Sequence, residues 1–386
     1  MRRLAVTALS AAAVLVPAGS ASADYVIDGR GFGHGVGMSQ YGAYGYALRE
    51  GRDFRWIIGH YYPGTSVGRV ASSRLRVVLR DTRVPKVCGA TRARAAGGRT
   101  LRLRDTRVYA FSAFGAGKLR VVDTTNNRTR AKLTAPVRVT GGASTCVRGE
   151  AINGVRNGSY RGAMVMQRWT GRRILAVNEL GLESYLWGVV TAEMPASWAA
   201  EALKAQAVVA RSYALRNRNP VRVFDLYPDT RSQVYRGIAG ETAVSIAATR
   251  ATRALAVRYG VEIAQTFFHS TSGGRTAGSV EGFGGGLDVP YLRPVDDAYD
   301  DISPLHAWQV RLSDRDTERK LEEVLLGDLD DVKITAVGET GRVSRVDVVG
   351  TEGTIGISGQ ELRRLLELRS HWFTIRRDPA RPTRVF

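Results

Sequence analysis

Residues 182–217 read LESYLWGVVTAEMPASWAAEALKAQAVVARSYALRN, and this stretch decides the fold class. Apolar residues recur at helical spacing from Trp198 to Ala214, which predicts a long helix with one apolar stripe. Pro195 disfavours a helical backbone at the residue before it, so an earlier helix should end near Glu193. Elsewhere, apolar and polar residues alternate as in strands. The sequence therefore indicates that helices and strands are segregated along the chain.

A strand-rich region precedes these helices. In residues 70–176, apolar residues alternate with Arg or Thr in short runs separated by Gly and Asp, which is typical of half-buried strands. We interpret the arginines of these runs as solvated strand faces rather than as a binding patch. The predicted class is α+β, with a β-rich inserted domain at 70–176. The core would consist of 24–69 and of 177–386, which carries a helical active-site segment and antiparallel strands.

Residues 1–23 predict export. Two arginines precede an apolar stretch that ends in Ala21-Ser22-Ala23, which is the arrangement of a secretory signal peptide cleaved after Ala23. The apolar stretch is shorter than the roughly 20 residues that span a bilayer. No later segment is long and apolar enough to do so. We therefore expect a secreted protein, extracellular or cell-wall associated, with no membrane span after signal removal.

The net charge of the chain is strongly positive. Removing residues 1–23, which hold two arginines and no acids, changes the formal charge from +20 to +18. In a cytosolic protein this excess would indicate nucleic acid. In an exported protein the anionic partner is a cell-wall polymer or a membrane surface, and no nucleic acid is expected.

The two cysteines, Cys88 and Cys146, predict a disulfide. Two cysteines cannot form a Cys-rich zinc site, and an oxidising compartment allows a bridge to persist. On the chain-entropy account the bridge would stabilise the fold by roughly 4 kcal/mol.

A glycine-rich run, GRGFGHGVGMSQYGAYGYA, spans residues 29–47. Its spacing matches neither dinucleotide-binding nor P-loop motifs. If the segment is extended, its alternating glycines share one bare face, while Phe32, His34 and Val36 point the other way. A bare face permits close approach of another strand or of a bulky ligand. The residues alone leave both interpretations open.

Glu193 is the candidate acid. A carboxylate at the end of a helix faces the negative end of the helix dipole, which disfavours ionisation. Its apolar neighbours, Trp187, Val190, Met194 and Trp198, should raise its pKa further by desolvation. A carboxyl that stays protonated near neutral pH is suited to general acid catalysis. The alternative is an exposed glutamate at a helix end.

Two cations fall within the apolar stripe of the long predicted helix. Lys204 and Arg211 are seven residues apart and therefore share one helix face. Cations directed inward need an anion, either a carboxylate or a ligand. The alternative is that their charged ends reach solvent at the edge of the core.

His269 precedes three hydroxyl residues and a Gly-Gly turn in FFHSTSGGRT, at the end of a predicted strand. A serine nucleophile would be expected in G-x-S-x-G, which is absent. H-E-x-x-H is also absent, so neither a serine-type nor a metal-dependent hydrolase is favoured. We expect no metal and no cofactor.

Four segments together resemble the sporulation stage II protein D (SpoIID/LytB) family of bacterial cell-wall proteins. They are the glycine-rich run, residues 182–215, DTRSQVYRG at 229–237, and FFHSTSGGRTAGSVEGFGGGLDVPYLRPVDD at 267–297. The closing GISGQELRRLLELRSHWFTI is similar too. The order is permuted, because GHGVGMSQYGA usually lies near the C-terminus in this family. We expect it to close the same groove from the other end.

The resemblance implies a lytic transglycosylase that cuts peptidoglycan glycan strands and favours strands without stem peptides. It makes Glu193 catalytic. Asp229, Glu241, Asp296 and Asp297 are possible second carboxylates, although all four lie in turns or polar stretches. The bare glycine face would then line the polysaccharide cleft. Some relatives bind zinc through cysteines near the HSTSGG turn, where this chain has serines, so that metal is not expected. We expect the following residues to bind substrate: Lys204, Arg211, Tyr213, Gln233, Tyr235, His269, Thr271, His34, Ser39 and Gln40.

A non-catalytic function is the alternative. The resemblance also fits a wall-binding protein that enhances a partner amidase, a role associated with the LytB branch. An intact Glu193 with inward cations favours the enzyme.

Overall fold

The computed structural model describes residues 24–286 and 288–378. The predicted signal peptide, 1–23, lies outside the described residues. Twenty-one strands are present in this part of the chain: β1 Asp24–Arg30, β2 Met38–Ser39, β3 Ser66–Arg69, β4 Arg74–Thr82, β5 Lys86–Ala95, β6 Thr100–Arg102, β7 Tyr109–Phe114, β8 Lys118–Asp123, β9 Arg128–Thr134, β10 Val137–Arg148, β11 Ser159–Tyr160, β12 Ala163–Arg168, β13 Ile174–Gly181, β14 Leu255–Tyr259, β15 Glu262–Ile263, β16 Phe268–His269, β17 Ala307–Ser313, β18 Leu329–Val337, β19 Val343–Gly350, β20 Gly353–Ser358 and β21 Phe373–Asp378.

The α-helices of the same residues are fewer, and the longest lies in the stretch that the sequence marked as helical. They are α1 Gln40–Arg49, α2 Phe54–Tyr61, α3 Leu182–Trp187, α4 Val190–Glu193, α5 Ala200–Arg216, α6 Ala243–Ala251, α7 Ser279–Phe283, α8 Asp314–Leu321 and α9 Gly359–Leu365. Strands and helices are segregated along the chain and the sheets are largely antiparallel, so the fold is α+β as predicted.

The strand-rich region forms one ten-stranded sheet, whose main path runs β4-β13-β12-β10-β5-β7-β8-β9. Its first strand, β4, pairs with its last, β13, so the chain enters and leaves the region at one edge. Because β13 continues to Gly181, the sheet ends five residues beyond the predicted boundary at 176. The predicted disulfide joins β5 to β10, where Cys88 and Cys146 are register partners.

The ten-stranded sheet shares its core with the helices. Apolar side chains of the strands, such as Leu75 and Met164, belong to the same buried cluster as Tyr185 of α3 and Ala210 of α5. The opposite side of α5 packs on α1 and α2 through a second cluster that includes Leu203 and Ala207. Helix α5 is therefore buried on two sides, as its run of small apolar residues permits.

The glycine-rich run begins as a strand and then leaves the extended conformation. β1 lies between β17 and β21 in a three-stranded sheet, and residues 31–37 follow with isolated bridges from Phe32 to Thr271 and from Val36 to Ala277. Gly31, Gly33, Gly35 and Gly37 all have positive φ, which L side chains rarely adopt. The prediction of a regular extended segment is therefore wrong. β2 then pairs in parallel with β16, which places the N-terminal run against the segment that holds His269.

Candidate active site

A cavity of about 460 Å³ lies where the glycine-rich run meets α4 and β16. Three phenylalanines give its walls apolar surface, and eight of the twelve lining residues carry polar side-chain groups that can bind and orient a ligand. The side chains and backbone that line it come from Gly33, His34, Glu193, Tyr213, Thr230, Arg231, Ser232, Phe267, Phe268, His269, Phe283 and Arg363. Among these lining residues, Glu193 is the single carboxylic acid.

Glu193 is the last residue of the four-residue helix α4. Met194 adopts an extended conformation ahead of Pro195, so the helix ends where the sequence predicts. Val234 donates its backbone N–H to Oε1 of Glu193 at 2.5 Å, and Gln40 donates its side-chain amide to the Glu193 carbonyl oxygen at 3.2 Å. These contacts fix both the carboxyl and its backbone at the cavity wall.

Burial raises the pKa of the Glu193 carboxyl from 4.5 to about 7, although the Val234 N–H and the Arg236 charge favour ionisation. The predicted rise in the pKa of Glu193 is confirmed, but its physical cause differs in part from the prediction. A helix of four residues has little dipole, and the apolar walls are Phe267, Phe268 and Phe283 rather than tryptophans. Trp198 instead stacks on Tyr44, away from the cavity lining.

Two neutral histidines line the same cavity as Glu193. Burial lowers the pKa of His34 to about 4 and holds that of His269 well below its usual value. Nδ1 of His34 accepts the Val36 N–H at 3.0 Å, whereas Nδ1 of His269 lies 3.2 Å from the Val36 carbonyl and is its donor. Nε2 of His269 is buried without a hydrogen-bond partner among the described residues. It therefore offers an acceptor to a ligand.

Arg211 is directed inward, but it does not reach the cavity. Its side chain is fully buried and forms a bidentate ion pair with Glu183 on α3, with N···O distances of 2.8 and 3.0 Å. It also donates to the carbonyl oxygen of Leu255. The anion that this cation needed is a protein carboxylate, so the geometry gives Arg211 a structural role.

Lys204 is at the surface rather than inside. Its ammonium pairs with Glu201 at 2.5 Å and its side chain is 29% exposed. Glu201 also accepts the Phe54 N–H at the start of α2, so this pair joins α5 to α2. The prediction that both cations point inward is wrong for Lys204, and neither side chain lines the cavity.

Four further predicted substrate-binding residues are occupied by structural contacts. Ser39 caps α1 by accepting the Gly42 N–H, and Thr271 bonds to Ser303. Gln233 bonds to Tyr185 and to the Ala210 carbonyl, whereas the Tyr235 hydroxyl donates to Asn178. All four are buried and none lines the cavity. The structure thus brings His34, Tyr213 and His269 together at Glu193, with Gln40 behind it.

The bare sides of the glycines meet protein rather than open space. A Cβ at Gly33 would lie 2.7 Å from the His269 Cβ, and one at Gly31 would lie 2.7 Å from the Thr271 carbonyl oxygen. At Gly37 the neighbour is the Phe267 carbonyl oxygen, at 2.2 Å. The glycines therefore permit the close packing that positions His269. Of the two interpretations, tight packing describes most of the run.

Two cations that line the cavity, Arg231 and Arg363, were not predicted from the sequence. Arg231 pairs with Asp229 and lies 3.9 Å from the Tyr227 ring, and its side chain is 53% exposed. Arg363 on α9 is half-buried and donates to the Leu368 carbonyl oxygen. Arg231 lies within DTRSQVYRG, so the motif itself pointed to this part of the site, but the substrate-binding residues were predicted at Gln233 and Tyr235 instead. Arg363 comes from the distant C-terminal part, which local patterns could not place here.

The other candidate carboxylates lie elsewhere. Asp229 and Glu241 are ion-paired with Arg231 and Arg161, and Asp296 is exposed. Asp297 is buried, where it accepts hydrogen bonds from Tyr61 and Ser272, and burial raises its pKa to about 7. None of the four lines the cavity.

Together, the fold and the cavity define an α+β protein with one carboxyl of raised pKa in an aromatic-lined cleft, a pattern typical of acid–base sites. Residues 170–259 match the SpoIID family, which is described as Stage II sporulation protein.

Three relatives show how far the similarity extends. Stage II sporulation protein D of Bacillus subtilis is 29% identical over 220 residues, which cover 53% of this chain and 62% of that protein. The amidase enhancer of Bacillus subtilis is 34% identical over 136 residues, or 35% of this chain and 18% of the enhancer. An uncharacterized protein of Brachyspira hyodysenteriae is 39% identical over 152 residues, with 38% and 39% covered. The matches thus span at most 62% of these relatives, and they support a cell-wall-related role.

Proposed function

We propose that this protein is a secreted lytic transglycosylase that cleaves the glycan strands of peptidoglycan, with Glu193 as its acid and base. The observation that carries the proposal is a lone carboxyl with a pKa of about 7 in an open cavity. Hydrolysis of a glycosidic bond with water normally requires two carboxylates at the reacting sugar. A cavity with one carboxyl suits a reaction in which the nucleophile belongs to the substrate.

The protonated Glu193 carboxyl would donate its proton to the oxygen that leaves from C1 of the muramic acid residue. The resulting carboxylate would then accept the proton of the C6 hydroxyl of the same sugar. That hydroxyl oxygen forms the new bond to C1 and closes a 1,6-anhydro ring, so water is not consumed. Because the hydroxyl is tethered to the reacting sugar, proximity replaces the positioning of a water molecule.

The surrounding groups would position the sugar. The unpartnered Nε2 of His269 can accept a hydrogen bond from a sugar hydroxyl, and the aromatic walls can pack on the apolar faces of sugar rings. A strand without stem peptides carries free lactyl carboxylates. Arg231 and Arg363 place two guanidinium groups at the cavity wall, and guanidinium–carboxylate pairing is a strong form of charged hydrogen bond. This pairing would account for a preference for peptide-free strands.

Mass spectrometry of digested glycan strands tests the proposal. The protein lacking residues 1–23 would be incubated with purified strands, with and without stem peptides. We expect products that end in an anhydro sugar, and more of them from peptide-free strands. Products that have gained water would identify a hydrolase instead.

A second function is favoured by one relative. The amidase enhancer of Bacillus subtilis suggests that this chain could bind wall glycan and stimulate a partner amidase without cutting the strand itself. Strands that stay intact in the digest, together with faster release of stem peptides when an amidase is added, would support that function and refute the transglycosylase.

A further inference from the structure

The net positive charge of residues 24–386 comes from the region of the ten-stranded sheet and its loops. Residues 70–181 contain 23 Lys and Arg against five Asp and Glu, a net charge of +18. The remainder of the chain after residue 23 has 31 of each and is formally neutral. The whole excess thus lies in about a third of the sequence. Twenty of the 23 cations are arginines.

Seven of these 23 cations lie on one side of the sheet. In β5, β6, β8 and β9, exposed cations alternate with residues such as Ala93, Leu119 and Leu133, which belong to one buried cluster. Alternate residues of a strand point to opposite sides, so the cations share the solvent side. We call this surface the outer basic face and define it by Arg92, Arg94, Arg102, Lys118, Arg120, Arg130 and Lys132.

These cations are not neutralised by the protein. None of the seven is ion-paired with an acid in the part of the chain that the structure describes. Four of the five acids of the region are paired with other arginines: Asp81 with Arg173, Asp123 with Arg107, Glu150 with Arg156, and Glu179 with both Arg74 and Arg138. The outer basic face is therefore left with its full charge.

The strand register places like charges directly opposite each other. Arg92 is the register partner of Arg102, and Arg120 is the register partner of Lys132. Like charges in opposite positions destabilise a sheet, so these pairs oppose folding. An anion bound between them would remove the repulsion. Neighbouring strands are about 4.8 Å apart and alternate residues on a strand about 6.7 Å, so the face presents a closely spaced grid of cations.

The sequence indicated solvated strand faces for these arginines, and the structure shows that they are exposed, but their close spacing without acidic partners also suits an anionic ligand. We propose that the outer basic face binds a polyanionic polymer of the cell wall whose repeating charge is a phosphodiester. Guanidinium groups bind phosphate oxygens in pairs, which fits the excess of arginine over lysine.

A membrane surface fits less well, because such binding also uses apolar side chains. The large exposed apolar residues of the protein lie outside this face, and its one phenylalanine, Phe114, is in contact with Arg120 and Lys132. Single-stranded nucleic acid would need stacking aromatics that the face does not offer.

Binding here would hold the enzyme at the wall through a surface separate from the Glu193 cavity, whose lining includes no residue of 70–181. The inference does not depend on the proposed glycan cleavage, because its test contains no glycan strand.

The test compares two triple variants of the protein that lacks residues 1–23. The first, Arg92→Gln, Arg94→Gln and Arg102→Gln, neutralises part of the face. The matched control, Arg216→Gln, Arg253→Gln and Arg315→Gln, removes three exposed cations from other parts of the protein. Binding to a synthetic poly(glycerol phosphate) of uniform length would be measured by fluorescence anisotropy at several salt concentrations.

We expect the first variant to lose roughly tenfold or more in affinity at about 0.1 M salt, while the control changes little. The dependence of log affinity on log salt should also become shallower by about 2, since three phosphate contacts are lost. Thermal stability should stay equal or rise, because a repulsive pair is removed. Equal losses in both variants would show that only total charge matters and would overturn the assignment to this face. Unchanged binding in the first variant would overturn the proposal. So would tighter binding to phosphatidylglycerol vesicles or to duplex DNA than to the polymer.

Discussion

Replacing Glu193 by glutamine should abolish cleavage and at the same time stabilise the protein at alkaline pH. The side chain is partly buried, and its pKa of about 7 exceeds the 4.5 of an unfolded glutamate. At about 1.4 kcal/mol for each pKa unit, holding the ionised group in the folded protein costs up to about 3.5 kcal/mol. Partial contact with solvent makes this an upper value.

The pH dependence of this effect has a definite sign. Below pH 4.5 the carboxyl is protonated in both folded and unfolded states, and the substitution should have little effect. Between 4.5 and about 7 the unfolded chain releases the proton while the folded protein keeps it, so the wild type loses stability as pH rises. Above about 7 the loss is complete, and the Glu193→Gln variant should be more stable by up to about 3.5 kcal/mol.

Two measurements check this reasoning. Urea unfolding at pH 4, 6 and 8 gives the stability difference, and release of anhydro-sugar products gives the rate, which should fall by roughly a hundredfold or more. The wild-type rate should also decline above pH about 7, as the acid form is lost. Glu262→Gln, an exposed glutamate, is the matched control and should change neither quantity. A Glu193→Gln variant whose stability relative to wild type is the same at all three pH values would refute the buried-acid argument.

Three other changes have outcomes that the contacts determine. Arg211→Ala leaves Glu183 without its buried partner and should cost about 3–5 kcal/mol of unfolding free energy. Lys204→Ala removes a more exposed ion pair and should cost less than about 1 kcal/mol. Equal losses of unfolding free energy in chemical denaturation would contradict this difference in burial. The double variant Cys88→Ser, Cys146→Ser removes a disulfide between residues 58 apart and should lower the unfolding free energy by about 4 kcal/mol. The rate of glycan cleavage per folded molecule should not change. A changed cleavage rate at full stability would be inconsistent with a purely structural disulfide. Gly33→Ala places a Cβ against His269 at a positive φ and should destabilise the protein by about 1–3 kcal/mol. Its control, Gly59→Ala, lies in open space within α2 and should stabilise the protein by about 0.5–1 kcal/mol. Differential scanning calorimetry that ranks the two variants the other way would disprove the packing role of the glycine-rich run.

The sequence by itself determined the features that depend on near neighbours. Pro195 ends a helix at Glu193 because a proline restricts the residue before it, and the alternation in 70–176 produces strands because side chains alternate across a sheet. The raised pKa of Glu193 was predictable in direction for a similar reason, since its apolar sequence neighbours indicated burial. The cysteine pair was predictable from the small number of alternatives.

Only the tertiary structure decided which groups meet across the fold. Helical spacing showed that Arg211 points inward, but its partner, Glu183, is set by the packing of α3 on α5. Several walls around Glu193 come from residues 267–283 and from α9, far away in the chain. The bare sides of Gly31, Gly33 and Gly37 are filled by residues of the same distant segment. Periodicity within an element fixes the direction of a side chain. Its neighbour is fixed by how separate elements pack, because the burial of apolar surface that drives packing is not directional.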